Sequence, residues 1–238
     1  MSTRLYFSET LPSPVTPPAP SGGSEWEHIV SPIPARLLAM MPDFSSLTTT
    51  AYTPDAADHL TNQDACHRQY ISEMLEAQTL TGTVTGQFQA LEAHANNQLF
   101  LSCKILVISQ DGLTTRATLM ALTWSSASEV GTSIANRTFP STSLTNYTCV
   151  KGDRLLIEIG LGGNVTTATT GVQGHNGSLR FGGVATTGDL PVNNTQTGAT
   201  YRPWMQFSMD VKFIPPLALQ NYYGVRVPTG FGCSERIR

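Results

Sequence analysis

The stretch LFLSCKILVISQDGLTTRATLMALTW, residues 99–124, determines the class of fold. Residues 99–108 are apolar at nearly every position, which indicates a strand that is buried on almost both faces. Asp111-Gly112 follows, a dipeptide typical of a tight hairpin turn, and residues 114–124 then predict the returning partner strand. Because strands joined by such a short turn pair in opposite directions, this stretch predicts an antiparallel sheet.

Alternating segments on both sides of this hairpin extend the predicted sheet. Residues 78–90 alternate between apolar side chains and Thr or Gln, which predicts a long strand with one face in water. Further strands are predicted near residues 133–140, 144–149, 153–161, 177–182 and 204–214. About eight strands without a helical interruption predict an all-β fold, an antiparallel β-sandwich or jelly roll, over residues 55–214. The side chains predicted to be buried in it are Leu101, Cys103, Ile105, Leu119, Leu155, Ile157, Phe207 and Val211.

The beginning of this domain fits two patterns. Over residues 55–78, Leu60, Ile71, Met74 and Leu75 would share one side of a helix, but residues 66–72 also fit the first strand of the sheet. We predict a loop or short helix followed by a strand.

Residues 1–54 differ from the rest because they hold nine of the 15 prolines. Proline removes a backbone donor, so we predict an extended arm without a central strand, and an extended tail over residues 215–238. The arm is also rich in aromatic residues, which a solvated linker lacks. The arm therefore lies either on a neighbouring subunit or on its own domain, and the sequence leaves both open. The residues predicted to make contacts are Tyr6, Phe7, Trp26, Phe44, Tyr222 and Tyr223.

Composition restricts the classes of partner. Charged residues make up only 13% of the chain, and 31 threonines favour a sheet surface. The net charge is −3 and the basic residues are scattered, so we expect no direct binding of nucleic acid. The sequence has no apolar run long enough for a membrane helix, and its first residues have no apolar segment of a secretory signal. The four cysteines, predicted to be free thiols of a cytosolic protein, are Cys66, Cys103, Cys149 and Cys233.

The sequence has no recognisable reactive motif, so we predict no catalytic residue, no cofactor and no metal. Nucleophile elbows, phosphate-binding loops and zinc-protease motifs are all missing from the sequence. The glycines at 160–163 lack the third glycine and the helix of a dinucleotide site, and the Asp and His residues at 58–59, 64 and 67 are a weak metal candidate. Glu158 and Asp210 as a glycosidase pair are explained more simply as acids on an outer face. The chain is therefore predicted not to be an enzyme.

Several short motifs nevertheless resemble structural proteins of tailed bacteriophages. They are Arg4-Leu5-Tyr6-Phe7, Arg68-Gln69-Tyr70-Ile71-Ser72, Gln78-Thr79-Leu80-Thr81-Gly82, Gly152-Asp153-Arg154 with the strand to Gly160, Gly177 to Gly182, Asp189-Leu190-Pro191 and Pro203 to Ser208. In that group, strands of this type recur in this order. The resemblance covers about residues 66–210 and the first few residues of the chain.

The resemblance implies a virion protein, assembled in the host cytoplasm, of the jelly-roll capsid decoration (cement) type. Its implied partners are copies of itself, as a homotrimer, and the major capsid protein or other virion proteins. A tail or baseplate component is the alternative within the particle. A carbohydrate-binding adhesin is a further alternative, since Trp124, Tyr147, Tyr201 and Trp204 lie near predicted strand ends, where rings can stack on sugars of a host glycan.

Overall fold

A computed structural model of the protein describes residues 1–20, 26, 28–29, 35–41, 47–52, 63–93, 95, 98–125, 129–163, 177–182, 188–195 and 201–215. Within these ranges the chain forms strands and no helix, so the all-β prediction is confirmed. The strands are β1 (Thr3–Pro12), β2 (His28–Ile29), β3 (Ala35–Ala39), β4 (Leu47–Tyr52), β5 (Gln63–Ser72), β6 (Gln78–Leu80), β7 (Thr83–Glu92), β8 (Leu99–Ile108), β9 (Thr115–Trp124), β10 (Ala135–Ser143), β11 (Tyr147–Cys149), β12 (Arg154–Gly163), β13 (Gly177–Gly182) and β14 (Trp204–Phe207).

One sheet of twelve strands makes up most of the molecule. Its order is β4-β13-β7-β14-β1-β3-β5-β12-β8-β9, with β10 beside β7 and β2 beside β5, while β6 and β11 form a separate pair. The sheet folds over, so that strands from its two halves contribute to the same hydrophobic core. All eight side chains predicted to be buried lie in this core.

An aromatic group occupies the centre of the core. The ring of Phe7 lies 4.7 Å from that of Tyr70 and 5.0 Å from that of Phe88, measured between centroids. Phe181 completes the group, with its ring 5.5 Å from Tyr70. These four residues come from β1, β5, β7 and β13, so aromatic packing joins distant parts of the sheet.

The predicted hairpin over residues 99–124 is confirmed. Strands β8 and β9 pair antiparallel, and Gly112 in the turn has a φ of 82°, which glycine adopts without strain. The ambiguous start of the domain contains the strand β5, whereas residues 53–62 lie outside the described residues.

Two predictions about strands need correction. The strand predicted over residues 204–214 ends at Phe207, because Ser208 turns the chain and its hydroxyl accepts a hydrogen bond from Thr83 N at 2.9 Å. The sheet is also not antiparallel throughout, since β2 and β3 both pair in parallel with β5.

The prediction that residues 1–54 contain no central strand is wrong for β1. This strand lies between β14 and β3, with Leu5 and Phe7 facing the core. The physical reason is that its only proline, Pro12, is its last residue, so the ladder before it keeps its backbone donors. The contacts of β1 therefore bury aromatic residues that the sequence left without a sheet of their own.

A proline-rich strap follows β1 and lies across the outer face of its own domain; we use this name for residues 13–20 together with Trp26. Val15 packs on an apolar patch of four buried side chains. Trp26 is fully buried, and its indole Nε1 donates to Glu158 Oε2 at 2.7 Å. These parts of the predicted arm thus pack on their own domain. The members of the patch are Ile71, Leu106, Ile108 and Leu156.

The glycines at 160–163 lie at the end of β12. A Cβ atom on Gly160 would overlap the carbonyl oxygen of Ala65, and one on Gly162 would overlap Oδ1 of Asp64. Glycine is therefore needed at both positions because the neighbouring strand β5 leaves no room for a side chain.

Cys66, Cys103 and Cys149 are buried free thiols, as predicted, and Cys233 lies outside the described residues. Burial raises the pKa of the Cys66 and Cys103 thiols well above the ordinary value, so they stay protonated and unreactive. Among the described residues, no helix has the length and apolar character to cross a membrane.

Candidate functional site

Three of the motifs that carry the resemblance meet around one carboxylate. Asp189 Oδ2 accepts hydrogen bonds from Arg4 Nη1 at 2.8 Å and from the Tyr6 hydroxyl at 2.9 Å. Arg202 Nε lies 3.2 Å from the other oxygen, Oδ1. Arg4 lies 185 positions before Asp189, and the pairing of β1 with β14 brings the two together. We name this group, with Trp204 and Gln206, the Asp189 cluster.

Arg4 is fixed on both sides within the cluster. Its Nε and Nη2 donate to Gln206 Oε1 at 3.1 and 2.8 Å, and its guanidinium lies 3.9 Å from the centre of the Trp204 ring. A planar cation held by a carboxylate, an amide and an aromatic face has little freedom left to rotate. The cluster is therefore a rigid feature of the surface.

The cluster anchors the loop of residues 188–195 on the sheet. The Trp204 indole donates to the carbonyl of Leu190 at 2.8 Å, and Asn136 Nδ2 donates to that of Pro191 at 3.1 Å. With its amide oriented to satisfy both atoms, Gln87 donates to the carbonyls of Pro191 and Asn193, at 3.1 Å each. Side-chain amides thus add to the backbone bridge between Asp189 and Arg202 in holding this loop.

The prediction that one face of the strand at residues 78–90 is wet holds for the first part of the strand, where Thr79 and Thr81 are exposed. It is wrong further along, because Gln87 and Gln89 on the same face are buried, with 0% and 1% of their surface exposed. The alternation predicts two faces, but it does not predict that the loop of residues 188–195 contacts the polar face at Gln87.

The electrostatics of the cluster favour a neutral phenol. Burial raises the pKa of Tyr6, and its hydrogen bond to the Asp189 carboxylate raises it further, while Arg4 and Arg202 oppose this. Tyr6 therefore remains a hydrogen-bond donor to Asp189. Through these contacts the cluster holds the backbone of the loop at residues 188–195 in place.

Two other motifs meet at a second joint. Arg154 of the GDR motif donates through Nη1 to the carbonyl of Ser72 at 3.0 Å and through Nε to that of Gln110 at 3.1 Å. The Ser72 hydroxyl accepts from Leu155 N at 2.9 Å. Asp153 Oδ2 in turn accepts from Val150 N at 3.0 Å. These polar motif residues are thus used to hold neighbouring strands and turns.

The six predicted contact residues fall into three groups. Tyr6 is half-buried in the Asp189 cluster, whereas Phe7 and Trp26 are buried within the chain's own domain. Phe7 and Trp26 therefore contact their own domain, Phe7 as part of β1 and Trp26 as part of the strap. The remaining three, Phe44, Tyr222 and Tyr223, lie outside the described residues.

The sequence did not reveal Arg4, Asp189 and Arg202 as one site. The available signal was that charged residues are scarce and that these three belong to or adjoin short motifs. Motif order along the chain gives no distance in space, so only the strand pairing could unite them.

Glu92 is a buried acid outside the Asp189 cluster. Burial raises the pKa of Glu92 to about 7, and the negative charge of Glu129 adds to this, while the amide of Leu99 and the charge of Arg137 oppose it. Glu92 Oε2 accepts from Leu99 N at 3.2 Å, so it caps the start of β8. Within the described part of the chain, no three His, Cys, Asp or Glu side chains form a metal site.

The structure describes two residues of the weak metal candidate, Asp64 and His67. Asp64 Oδ1 accepts the Trp124 indole at 2.5 Å, and His67 is buried. The residues at 58 and 59 lie outside the described ranges.

An open cavity of about 650 Å³ lies between the strap and the sheet. Its lining consists of strap residues with Pro12, Ala35 and Gln69, and none of these side chains ionises. The Gln69 amide donates to the carbonyl of Pro18 at 2.8 Å and to Glu158 Oε1 at 2.9 Å, which closes the cavity floor.

The candidate sugar-stacking residues lie in different surroundings. Trp204 is 3% exposed beneath Arg4, and the half-buried Tyr147 packs against the core. Trp124 is half-buried, with its ring parallel to that of Phe100 and 6.4 Å away. Tyr201 is half-buried before β14. The Arg4 guanidinium thus covers a face of the Trp204 ring.

Comparisons with known proteins give only distant likenesses. No protein-family model matches the chain, and no curated protein matches its sequence. Two solved structures of a CocE/NonD family hydrolase from Staphylococcus aureus cover 90% of this chain at TM-scores of 0.45 and 0.46 and sequence identities of 11% and 10%. This chain spans 36% and 37% of those hydrolase chains.

A virus particle is also among the matches. The structure of the T13 particle of infectious bursal disease virus covers 78% of this chain and 43% of its own, with a TM-score of 0.28 and 14% identity. At such identities and TM-scores, none of these likenesses carries an argument about what the chain does.

Proposed function

We propose that the protein is a non-enzymatic structural component of a tailed phage particle, a capsid decoration (cement) protein that stabilises the shell through contacts between subunits. It acts as a homotrimer bound to the major capsid protein, on virions assembled in the host cytoplasm. The sequence motifs Arg4-Leu5-Tyr6-Phe7, Asp189-Leu190-Pro191 and Pro203 to Ser208 suggest this class of protein.

The observation that supports a structural role is the Asp189 cluster. Residues from three motifs use their charges and hydrogen bonds on one another and on a loop of the same chain. A reaction centre keeps its acids, bases or nucleophiles directed at a substrate, whereas this arrangement fixes backbone. Low overall charge also suits a surface that is buried against many copies of a partner, because fewer charges lose their hydration.

The test is the copy number of the protein on purified particles. Quantitative mass spectrometry, with the major capsid protein as internal reference, is expected to give hundreds of copies per particle. A few to tens of copies would overturn the cement assignment in favour of a tail or baseplate component, and absence from particles would overturn a virion role. Binding of the isolated protein to a glycan array, together with a low copy number, would identify an adhesin instead.

A further inference from the structure

An open cavity of about 460 Å³ lies at one end of the sheet and brings positive charges together. Two arginines line it, Arg116 of β9 and Arg154 at the start of β12, together with Met74 and residues 109–111. The register of β12 with β8 places Arg154 opposite Ile108, and β9 pairs with β8 at the same end. Three adjacent strands thus bring two guanidinium groups to one cavity.

Arg154 is buried, with 8% of its side chain exposed, yet its hydrogen bonds go to neutral groups, the carbonyl oxygens of Ser72 and Gln110. These bonds use Nη1 and Nε, and Nη2 makes no hydrogen bond with a described residue. The one described carboxylate within 4.0 Å of its guanidinium belongs to Glu73, which is 42% exposed. Burial lowers the pKa of Arg154, and the charge of Glu73 offsets only part of this shift. Because buried charges in proteins are normally paired, this guanidinium lacks a close anion.

Arg116 is the more accessible of the two arginines, with 47% of its side chain exposed. Its Nε lies 3.7 Å from Asp153 Oδ1, beyond hydrogen-bond distance, and the other oxygen of Asp153 holds the turn before β12. Asp111 is the acid that lines the cavity, and its Oδ1 accepts from the Ser109 hydroxyl at 2.6 Å and from Leu113 N at 3.1 Å. The carboxylates near the cavity thus hold turns of the backbone and form no close pair with either arginine.

We propose that this cavity binds an oxyanion, a carboxylate or a phosphate group, between the guanidinium groups of Arg116 and Arg154. The forked, planar N–H donors of arginine fit the oxygens of both groups. In the Asp189 cluster the chain itself supplies the oxyanion, since Asp189 accepts from Arg4 at 2.8 Å. In the cavity, Arg154 is already fixed by its two carbonyl partners, and a bound anion would reduce the repulsion between the two like charges. The site does not depend on the proposed function.

Protection of Arg116 from phenylglyoxal, a reagent that modifies arginine, tests the proposal on the full-length protein. Peptide mass spectrometry follows the rate of modification while sodium phosphate or sodium acetate replaces sodium chloride at constant ionic strength. We expect saturable protection of Arg116, whereas Arg36, which does not line this cavity, keeps its rate. Stronger protection by phosphate identifies a phosphate group as the preferred ligand, and stronger protection by acetate identifies a carboxylate.

A pair of variants tests whether Arg154 takes part. Glu73→Gln removes the carboxylate that competes for Arg154, so we expect half-protection of Arg116 at an anion concentration about threefold lower. The matched control is Glu76→Gln, the same change of charge at a residue that pairs with Lys151, and it is expected to leave half-protection unchanged. Circular dichroism confirms that both variants are folded.

Three results would each overturn the proposal. They are a modification rate of Arg116 that neither anion changes, equal protection of Arg116 and Arg36, and equal effects of Glu73→Gln and Glu76→Gln. Since no particles are used, such a failure leaves the copy-number test of the proposed function unaffected.

Discussion

Strand β1 and the strap are adjacent in the chain, yet they contribute to the fold in different ways. Strand β1 is inserted between β14 and β3 and places Phe7 at the centre of the aromatic core. The strap begins one residue after Pro12 and covers the outside of the sheet with Val15 and Trp26. Strand β1 is thus part of the core, whereas the strap covers the outer face of the sheet, away from the core.

The difference follows from where proline begins. Along β1, Leu5 and Phe7 alternate with Arg4 and Tyr6. One face of the strand therefore contributes to the core, and the other face contributes to the Asp189 cluster. After Pro12 the backbone lacks donors at Pro14, Pro17, Pro18 and Pro20, and a segment of that kind gains stability only by lying on a surface. Composition averaged over residues 1–54 concealed this boundary.

The largest effect is expected from removing β1. Deletion of residues 1–12 opens the sheet between β14 and β3 and removes Leu5 and Phe7 from the core, so we expect no folded protein. Replacement of residues 13–20 by a Gly/Ser linker of equal length keeps the ladder and is expected to fold. Far- and near-ultraviolet circular dichroism distinguishes the two, and a cooperatively folded deletion variant would contradict the central role of β1.

These outcomes show which parts of the fold local patterns could predict. The hairpin at residues 99–124 and the core residues were predictable, because their partners are close in sequence or their apolar character is continuous. The place of β1 was not, since Thr3 pairs with Phe207 and ten residues contain no information about a partner so distant. The Asp189 cluster depends on that same pairing, so it was missed for the same reason.

The next effect separates the two faces of β1. Phe7→Ala leaves a cavity in the aromatic core and is expected to lower the free energy of unfolding by about 3–5 kcal/mol. Tyr6→Phe, on the other face, removes only the hydrogen bond to Asp189 and is expected to cost about 1 kcal/mol. Urea denaturation measures both, and equal losses would show that the face of the strand does not decide its contribution.

A smaller loss is expected from the strap's indole. Trp26→Phe keeps most of the ring against Gly160 but removes the hydrogen bond from the indole to Glu158 Oε2, at a cost of about 1.5–3 kcal/mol. Glu158→Gln in the same background replaces the buried carboxylate that loses this bond by a neutral amide, so the double variant is expected to be more stable than Trp26→Phe alone. Independent, additive losses in urea denaturation would show that the indole and the carboxylate do not interact.

A further small effect, on local opening, concerns the apolar end of the strap. Val15 is half-buried on the patch that contains Leu106 and Ile108, and its side chain and the carbonyl of Thr16 lie next to the turn at Gly112. Val15→Ala removes two methyl groups from a partly hydrated contact, so the expected loss is below about 1.5 kcal/mol. If the strap opens as a unit, the substitution lowers the free energy of this local opening. Hydrogen exchange of the strap then accelerates, while that of β8 keeps its rate.

The matched comparison is Leu106→Ala, which alters the same patch from the side of the sheet and is expected to accelerate hydrogen exchange in both the strap and β8. Faster exchange of β8 in Val15→Ala would show that the strap is coupled to the core as tightly as β1, and the distinction between the two segments would then fail.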